Sequence, residues 1–313
     1  MKVLVLDSNP GVHINIPAVR QEFPDTEFLE PENEDEALAV CADCDVLITM
    51  AQLPTERLIQ AMPKLGYIFS LTTGVDHLWT LKSLPASVRI TNARGIHGPQ
   101  MAELTFLYML SLGRNAKKLQ QNQRSRVWER WPQPLLYGKT AVLVGLGAIA
   151  EALAARCKAF GMTVIGVSDA RSSFPHCDRI YRRAALKEAV AQADFVVILV
   201  PLDDKSRGMI DAGVLAAMKP TACLINIARG PIVDEAALIA ALQNGTIAGA
   251  GLDVFTNEPL ATDSPLWAMD NVIVTPRIGG MSDRYAEQLF PLVAHNLRAW
   301  MNGRPDSMRN IVR

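Results

Sequence analysis

The chain has 313 residues, more than one hydrophobic core usually covers, so two domains are expected. Hydrophobic residues make up 49% and charged residues 20%, which supplies full cores and excludes a disordered chain. A formal net charge of -1 calls for neither nucleic acid nor an anionic membrane as partner.

The first apolar run, Val3 to Leu6, stops at Asp7, too short for a signal-peptide core. No later stretch approaches the roughly 18 apolar residues of a membrane span. The five cysteines are odd in number and scattered, unlike a disulfide framework, so a cytoplasmic location is expected. Cys41-Ala42-Asp43-Cys44 is a CxxC without a second CxxC or HxxxH to complete a zinc site. The pair reads as structural, and no metal is expected.

Along the chain, short apolar runs alternate with helical patterns. Val3 to Leu6, Val46 to Thr49 and Tyr67 to Leu71 read as buried strands, with helices over 35–42 and 55–62 between them. Thr91 to Ala93 adds a strand before a loop over 94–99. A helix over 100–112 is apolar nearly all round, which predicts burial or an interface. The polar stretch 120–130 that follows carries Trp128, with Trp131 just beyond. An interface and packing on the chain's own body are both open for these two.

From Thr140 stronger strands appear at 141–144, 163–167, 195–199, 223–227, 249–254 and 272–275, enough for a six-stranded doubly wound sheet. Asp234 reads as the N-cap of a helix over 235–242, which Asn244-Gly245 ends. A last helix, 283–301, is long enough to cross back to the first domain. The expected fold is therefore α/β, with two Rossmann-like or flavodoxin-like domains built on doubly wound parallel sheets. Residues 1–97 with 286–313 form the first, and residues 98–285 form the second.

Gly145-Leu146-Gly147-Ala148-Ile149-Ala150 is a GxGxxA between a strand and a helix. Gly145 and Gly147 permit a tight turn and a close approach to a pyrophosphate, and Ala150 lets helix and strand pack closely. The helix N-terminus offers free N–H groups and a positive dipole end to the phosphates. This context predicts a bound nicotinamide dinucleotide. At the end of the next strand, NAD sites commonly carry an acid about 20 residues after the glycines. Here that position is Ser168, with Asp169 one residue beyond. Ser168, Arg171 and Ser172 are placed to surround a 2′-phosphate, so NAD or NADP is expected with a lean towards NADP.

Three later strand ends carry polar groups: Ile227-Ala228-Arg229-Gly230-Pro231-Ile232-Val233-Asp234-Glu235, Leu252-Asp253-Val254-Phe255-Thr256-Asn257-Glu258-Pro259, and Thr275-Pro276-Arg277-Ile278-Gly279-Gly280. Ligands bind at the carboxyl ends of strands in open α/β sheets. With Thr73-Gly74-Val75-Asp76-His77 and the glycine loop, these segments resemble the D-isomer-specific 2-hydroxyacid dehydrogenase family over nearly the whole chain. That family includes glyoxylate/hydroxypyruvate reductases and phosphoglycerate dehydrogenase.

The resemblance implies an oxidoreductase that moves a hydride between NAD(P)H and a small anionic 2-keto or 2-hydroxy acid. It implies that Arg229 clamps the substrate carboxylate and polarises the keto oxygen, with backbone N–H groups around Thr73, Gly74 and Val75 adding donors. Ala148, Ile149, Val200, Ile227, Ala228, Asp253 and Gly279 would contact cofactor, Asp253 near the nicotinamide amide. Glu258 would orient a catalytic histidine. A homodimer through the cofactor domain is also implied, with an arm on which Trp128 and Trp131 are candidates.

The family's histidine, in a Thr-Pro-His motif, is replaced by Arg277. A histidine donates a proton near neutral pH, whereas an arginine, with a pKa above about 12, does not. Three readings follow. Arg277 pairs with Glu258 and helps bind an anionic substrate while water or another residue, such as His97, supplies the proton. Alternatively the substrate needs no acid–base step, or the chain is a cofactor-binding sensor without turnover.

Overall fold

The computed structural model describes residues 1–7 and 14–313. In chain order it forms β1 (Lys2–Leu6), α1 (Ile16–Glu22), β2 (Glu27–Leu29), α2 (Glu34–Val40), β3 (Val46–Thr49), α3 (Glu56–Gln60), β4 (Tyr67–Ser70) and β5 (Arg89–Asn92). Next come α4 (Gly98–Gly113), α5 (Ala116–Ser125), β6 (Thr140–Val144), α6 (Ala148–Ala159), β7 (Thr163–Val167), β8 (Arg179–Tyr181) and α7 (Leu186–Val190). The chain continues through β9 (Phe195–Ile198), α8 (Ala212–Ala216), β10 (Cys223–Asn226), α9 (Glu235–Gln243), β11 (Gly249–Leu252), β12 (Val272–Val274) and α10 (Tyr285–Met301).

These elements pack as two units, one of Met1–Ile96 with Met281–Arg313 and one of His97–Gly280. The return to the first unit comes at Met281, five residues before the position read from the sequence. All of α10 belongs to the first unit, and the chain before it is already turned inward by Ser282, whose carbonyl accepts from the Tyr285 N–H at 3.1 Å.

Among the described residues, the first unit holds a five-stranded parallel sheet in the order β2-β1-β3-β4-β5. Successive side chains on a strand point to opposite faces. Val3 and Val5 therefore pack with Leu289, Val293 and Leu297 of α10 on one side, while Leu4 and Leu6 pack with Leu58 and Ile59 of α3 on the other. Both faces are covered, so the strands are apolar throughout rather than alternating. Cys41 and Cys44 are buried in the second of these layers, and burial pushes the Cys44 thiol up to about 11.

The second unit holds a seven-stranded parallel sheet in the order β12-β11-β10-β9-β6-β7-β8. The expected six strands are all present, and β8 adds a seventh at the edge. Both β2 and β8 are three-residue edge strands, too short to show a period of two, and each pairs with a single neighbour. The helix read from residue 100 begins at Gly98, with Pro99 in its first turn, where the missing N–H is no loss. Among the described residues, no helix is long and apolar enough to cross a membrane.

Asn296 holds α10 to the C-terminal tail. Its side chain is buried, donates to Thr91 Oγ1 (3.1 Å) and the Arg309 carbonyl (3.0 Å), and accepts from the Arg309 N–H (2.8 Å). Thr91 Oγ1 also shares a hydrogen bond with Tyr67 Oη at 2.7 Å. Asn296→Ala strands these partners away from water, which costs about 2–4 kcal/mol. Urea unfolding should show a lower midpoint with an unchanged slope, and an unchanged midpoint would contradict this account.

Candidate active site

The second sheet reverses its winding between β6 and β9, and a crevice forms outside the carboxyl ends of strands at such a switch point. The glycine loop lies there. Gly145 has φ +106°, and a Cβ on it would sit 2.8 Å from the Val200 N beyond β9, so only glycine fits. Gly147 is the N-cap of α6 and supplies no side-chain cap, and a Cβ built on it meets nothing within 4 Å. No side chain caps the first turn of this 12-residue helix and the space beside Gly147 is open, which fits a pyrophosphate. Ala148 is exposed and Ile149 half-buried at this end, while Ala150 is fully buried under the helix.

Next to the loop is a cavity lined by Val144, Gly145, Val167, Ser168, Asp169, Ala170, Arg183, Val200 and Met209. Ser168 is therefore brought to the glycine loop. Arg171 lies outside this lining, with its guanidinium over the Phe174 ring at 5.3 Å. Arg183, which the sequence reading did not single out, takes its place in the cavity wall. Its backbone N–H donates to Asp169 Oδ1 at 2.8 Å, and its Nε lies 3.6 Å from Asp169 Oδ2.

Beyond β10, Asn226 shapes the turn that presents Arg229. The Asn226 Oδ1 accepts from the Ala228 N–H (3.1 Å), and its Nδ2 donates to the Arg229 carbonyl (3.0 Å). Ile227 and Ala228 are buried while Arg229 is half-buried, and its Nη1 donates to the Ala228 carbonyl at 2.7 Å. A Cβ on Gly230 would fall 1.9 Å from the Phe255 carbonyl carbon, so the Arg229 turn and the segment after β11 touch backbone to backbone.

Asp253, at the end of β11, is buried and accepts three hydrogen bonds. These come from Thr275 Oγ1 (2.5 Å), the Ile278 N–H (2.9 Å) and the Gly279 N–H (3.0 Å). Thr275 is itself hydrogen-bonded to Tyr108 Oη of α4. Burial pushes the Asp253 carboxyl up, against the pull of these donors. Gly279 has no room for a side chain, with Leu104 Cδ2 at 2.6 Å and Asp253 Oδ2 at 2.8 Å from its Cβ position.

Within this loop Arg277 adopts φ +55° and donates from Nη1 to Glu258 Oε2 at 2.5 Å. Glu258 Oε1 accepts from the Phe255 N–H at 3.1 Å, so the carboxylate is held by backbone before it meets the guanidinium. The arginine side chain is 53% exposed and the glutamate 27%. His97, the N-cap of α4, is buried, and its Cδ2 lies 3.4 Å from a Cβ built on Gly280.

In the first unit, the Thr73 carbonyl accepts from Asn92 Nδ2 (2.7 Å) and the Gly74 carbonyl from Thr72 Oγ1 (2.8 Å). In a trans peptide the N–H points opposite its carbonyl, so the Gly74 and Val75 N–H groups are turned away from these anchors. Thr73 is exposed and Val75 buried. Within the second unit, then, the structure gathers the glycine loop with Ser168 and Val200, and Arg277 with Glu258 and Asp253. The sequence reading missed Arg183, Asn226 and Tyr108. Arg183 follows a three-residue edge strand and Tyr108 depends on a partner distant in the chain, so neither carried a local signal.

Residues 106–279 match the family model described as D-isomer specific 2-hydroxyacid dehydrogenase, NAD binding domain. A glyoxylate reductase of Pyrococcus furiosus is 34% identical, over 96% of this chain and 93% of its own. A D-isomer specific 2-hydroxyacid dehydrogenase family protein from Aeromonas salmonicida superposes with a TM-score of 0.91 at 30% identity, covering 100% and 98% of the two chains. An NADPH-dependent glyoxylate/hydroxypyruvate reductase from Sinorhizobium meliloti, in complex with NADP and sulfate, gives 0.84 at 27% identity over 99% and 98%.

The raised Asp253 carboxyl gives a pH prediction. The folded chain binds this proton more tightly than the unfolded chain, whose aspartates titrate near 3.9. The group therefore adds stability below about pH 3.9 and loses that contribution as the pH rises through its folded value. The unfolding free energy of the native chain minus that of Asp253→Asn should fall as pH rises across this window. A difference that rises with pH would contradict the burial argument.

Proposed function

We propose that this chain, which belongs to the D-isomer-specific 2-hydroxyacid dehydrogenase family, reduces a small anionic 2-keto acid of the glyoxylate or hydroxypyruvate class and prefers NADP(H). It is an NAD(P)-dependent 2-hydroxyacid oxidoreductase. The observation that carries the substrate class is Arg229, set by Asn226 on the same strand-end face as the glycine loop. No observation favours the cofactor-sensing alternative.

A bound reduced nicotinamide supplies the hydride. Gly145, Gly147, Ala148 and Ile149 hold the pyrophosphate, and Val200, Ile227, Ala228 and Gly279 give the cofactor its apolar walls. Asp253 orients the nicotinamide end. Arg229 receives the substrate carboxylate in a planar, always-charged fork and polarises the keto oxygen. In the first unit, the Gly74 and Val75 N–H groups, turned away from the anchored Thr73 and Gly74 carbonyls, are donors suited to an anionic group. Ser168, where an acid would hold ribose hydroxyls, leaves room for a 2′-phosphate, and an arginine, Arg183, lines the same cavity.

An arginine side chain brings a positive charge but is no ordinary proton donor. Pinned by Glu258, Arg277 draws in an anionic substrate and stabilises developing negative charge on oxygen, while water supplies the proton. Absence of a general acid typically slows such a step by about 10²–10⁴-fold.

The second unit also exposes Trp128 (88%) and Tyr137 (76%), together with Val127 and Leu135. Lys118 ties the arm by its ion pair to Glu129 (2.7 Å) and by lying over Trp131 (4.6 Å). An ordered arm with bare aromatic groups suits a homodimer. Sedimentation should show a dimer that Trp128→Asp shifts towards monomer; a monomeric native chain would refute this assignment.

Glyoxylate and hydroxypyruvate should be turned over with NADPH. Arg277→His should raise kcat by roughly 10-fold or more, raise KM for the keto acid and create a fall in rate above about pH 6.5. Failure of every small 2-keto acid with both cofactors would overturn the proposal, and a lower kcat in Arg277→His would give Arg277 a direct part in the step.

A further inference from the structure

Arg183 Nη1 is, among the described residues, the one buried side-chain nitrogen or oxygen without a hydrogen-bond partner. A buried guanidinium donor left unmade is costly, and such a group in a wall of a cavity marks a place where an acceptor belongs. Arg183 lines the cavity that also contains Ser168, Asp169, Ala170 and Gly145. Gly145 of the glycine loop, proposed above to hold the pyrophosphate, lines one side of this cavity, and the end of β7 is where a dinucleotide's adenosine ribose lies in such folds.

The acidic groups facing Arg183 hold it loosely. Its Nε stands 3.6 Å from Asp169 Oδ2, longer than the 2.7–2.9 Å of a good charge-assisted hydrogen bond. Asp203, held low first by the Ser206 hydroxyl and last by Arg183, is the second carboxylate near it. Arg182 Nη1 donates to the Asp169 carbonyl, which adds a second cation to the same turn. The Arg183 side chain is 31% exposed. Arg171, the nearest arginine in sequence to Ser168, is instead held over Phe174.

We infer that Arg183 is the residue that reads the 2′-phosphate of the cofactor, with Asp169 as its resting partner and Ser168 beside it. This rests on the NADP(H) preference proposed above. A phosphate monoester carries about two negative charges near neutral pH and presents three acceptor oxygens, which suits a guanidinium with an unused donor. Exchanging a loose aspartate contact for a bidentate phosphate contact is favourable, whereas a ribose hydroxyl offers no charge to draw Arg183 from Asp169.

The test is calorimetric titration of the full chain with 2′,5′-ADP and with 5′-AMP, for the native protein, Arg183→Gln and Arg171→Gln. The native chain should bind 2′,5′-ADP at least 10-fold tighter than 5′-AMP. Arg183→Gln should erase that margin and leave 5′-AMP binding intact, which shows that the fold survives. In turnover it should raise KM for NADPH with kcat retained and leave KM for NADH unchanged. A native chain that binds 5′-AMP as well as 2′,5′-ADP would overturn the NADP(H) reading. A native margin that survives in Arg183→Gln but disappears in Arg171→Gln would leave that reading standing and overturn this inference alone.

Discussion

The carboxylate of Asp253 is the constraint on which the site depends. It is buried, and a buried charge is tolerated only when its lone pairs are filled. Thr275, Ile278 and Gly279 donate to three of them, and all three residues belong to the segment that ends β12 and carries Arg277. Because two of these donors are backbone N–H groups, the loop follows the carboxylate whatever side chain stands at 277. The left-handed backbone at Arg277 and the bare Gly279 are consequences of wrapping one short loop round one acid. Tyr108 supports the arrangement from α4, and Gly251 gives it space, since a Cβ there would meet the Tyr108 ring at 2.5 Å.

A second set of constraints is purely steric. Gly145 against Val200 and Gly230 against Phe255 bring strand-end loops together closer than any side chain allows. The first contact aligns the glycine loop with the end of β9, and the second ties the Arg229 turn to the segment holding Glu258. The glycine loop, the Arg229 turn and the Glu258 segment are thus placed by backbone contact.

The parts legible in the sequence were those with local chemistry. Gly145 and Gly147 lie between a clear strand and a clear helix, and Arg229 and Glu258 stand in runs of residues dense enough to identify together. The strands of both sheets showed as apolar runs because both faces are covered. Three-residue β2 and β8 carried no such signal, since their pairing is set by a neighbour distant in the chain. For the same reason Arg171 looked better placed than Arg183. Sequence distance put Arg171 next to Ser168, but its stacking on Phe174 turns it aside, and the short β8 brings Arg183 back to the cavity. Asn296 was equally silent, because what it satisfies is a backbone segment that only the fold brings near.

Replacing the family's histidine by Arg277 separates two demands that one residue usually meets. A protonated histidine offers both a positive charge and a proton, and both fade as the pH rises past about 6.5. Arg277 offers the charge alone, at every pH. Glu258 accepts from the Phe255 N–H through one oxygen and from Arg277 through the other, so part of its positioning comes from the backbone. Beside a histidine that carboxylate would favour the protonated ring; beside an arginine it fixes direction, since the charge needs no support. Asp253 holds the loop through the Thr275 hydroxyl and the Ile278 and Gly279 N–H groups, contacts that do not involve the side chain at 277. On the function proposed above, the proton then comes from solvent rather than from a side chain, and half-exposed Arg277 stands where solvent can reach it.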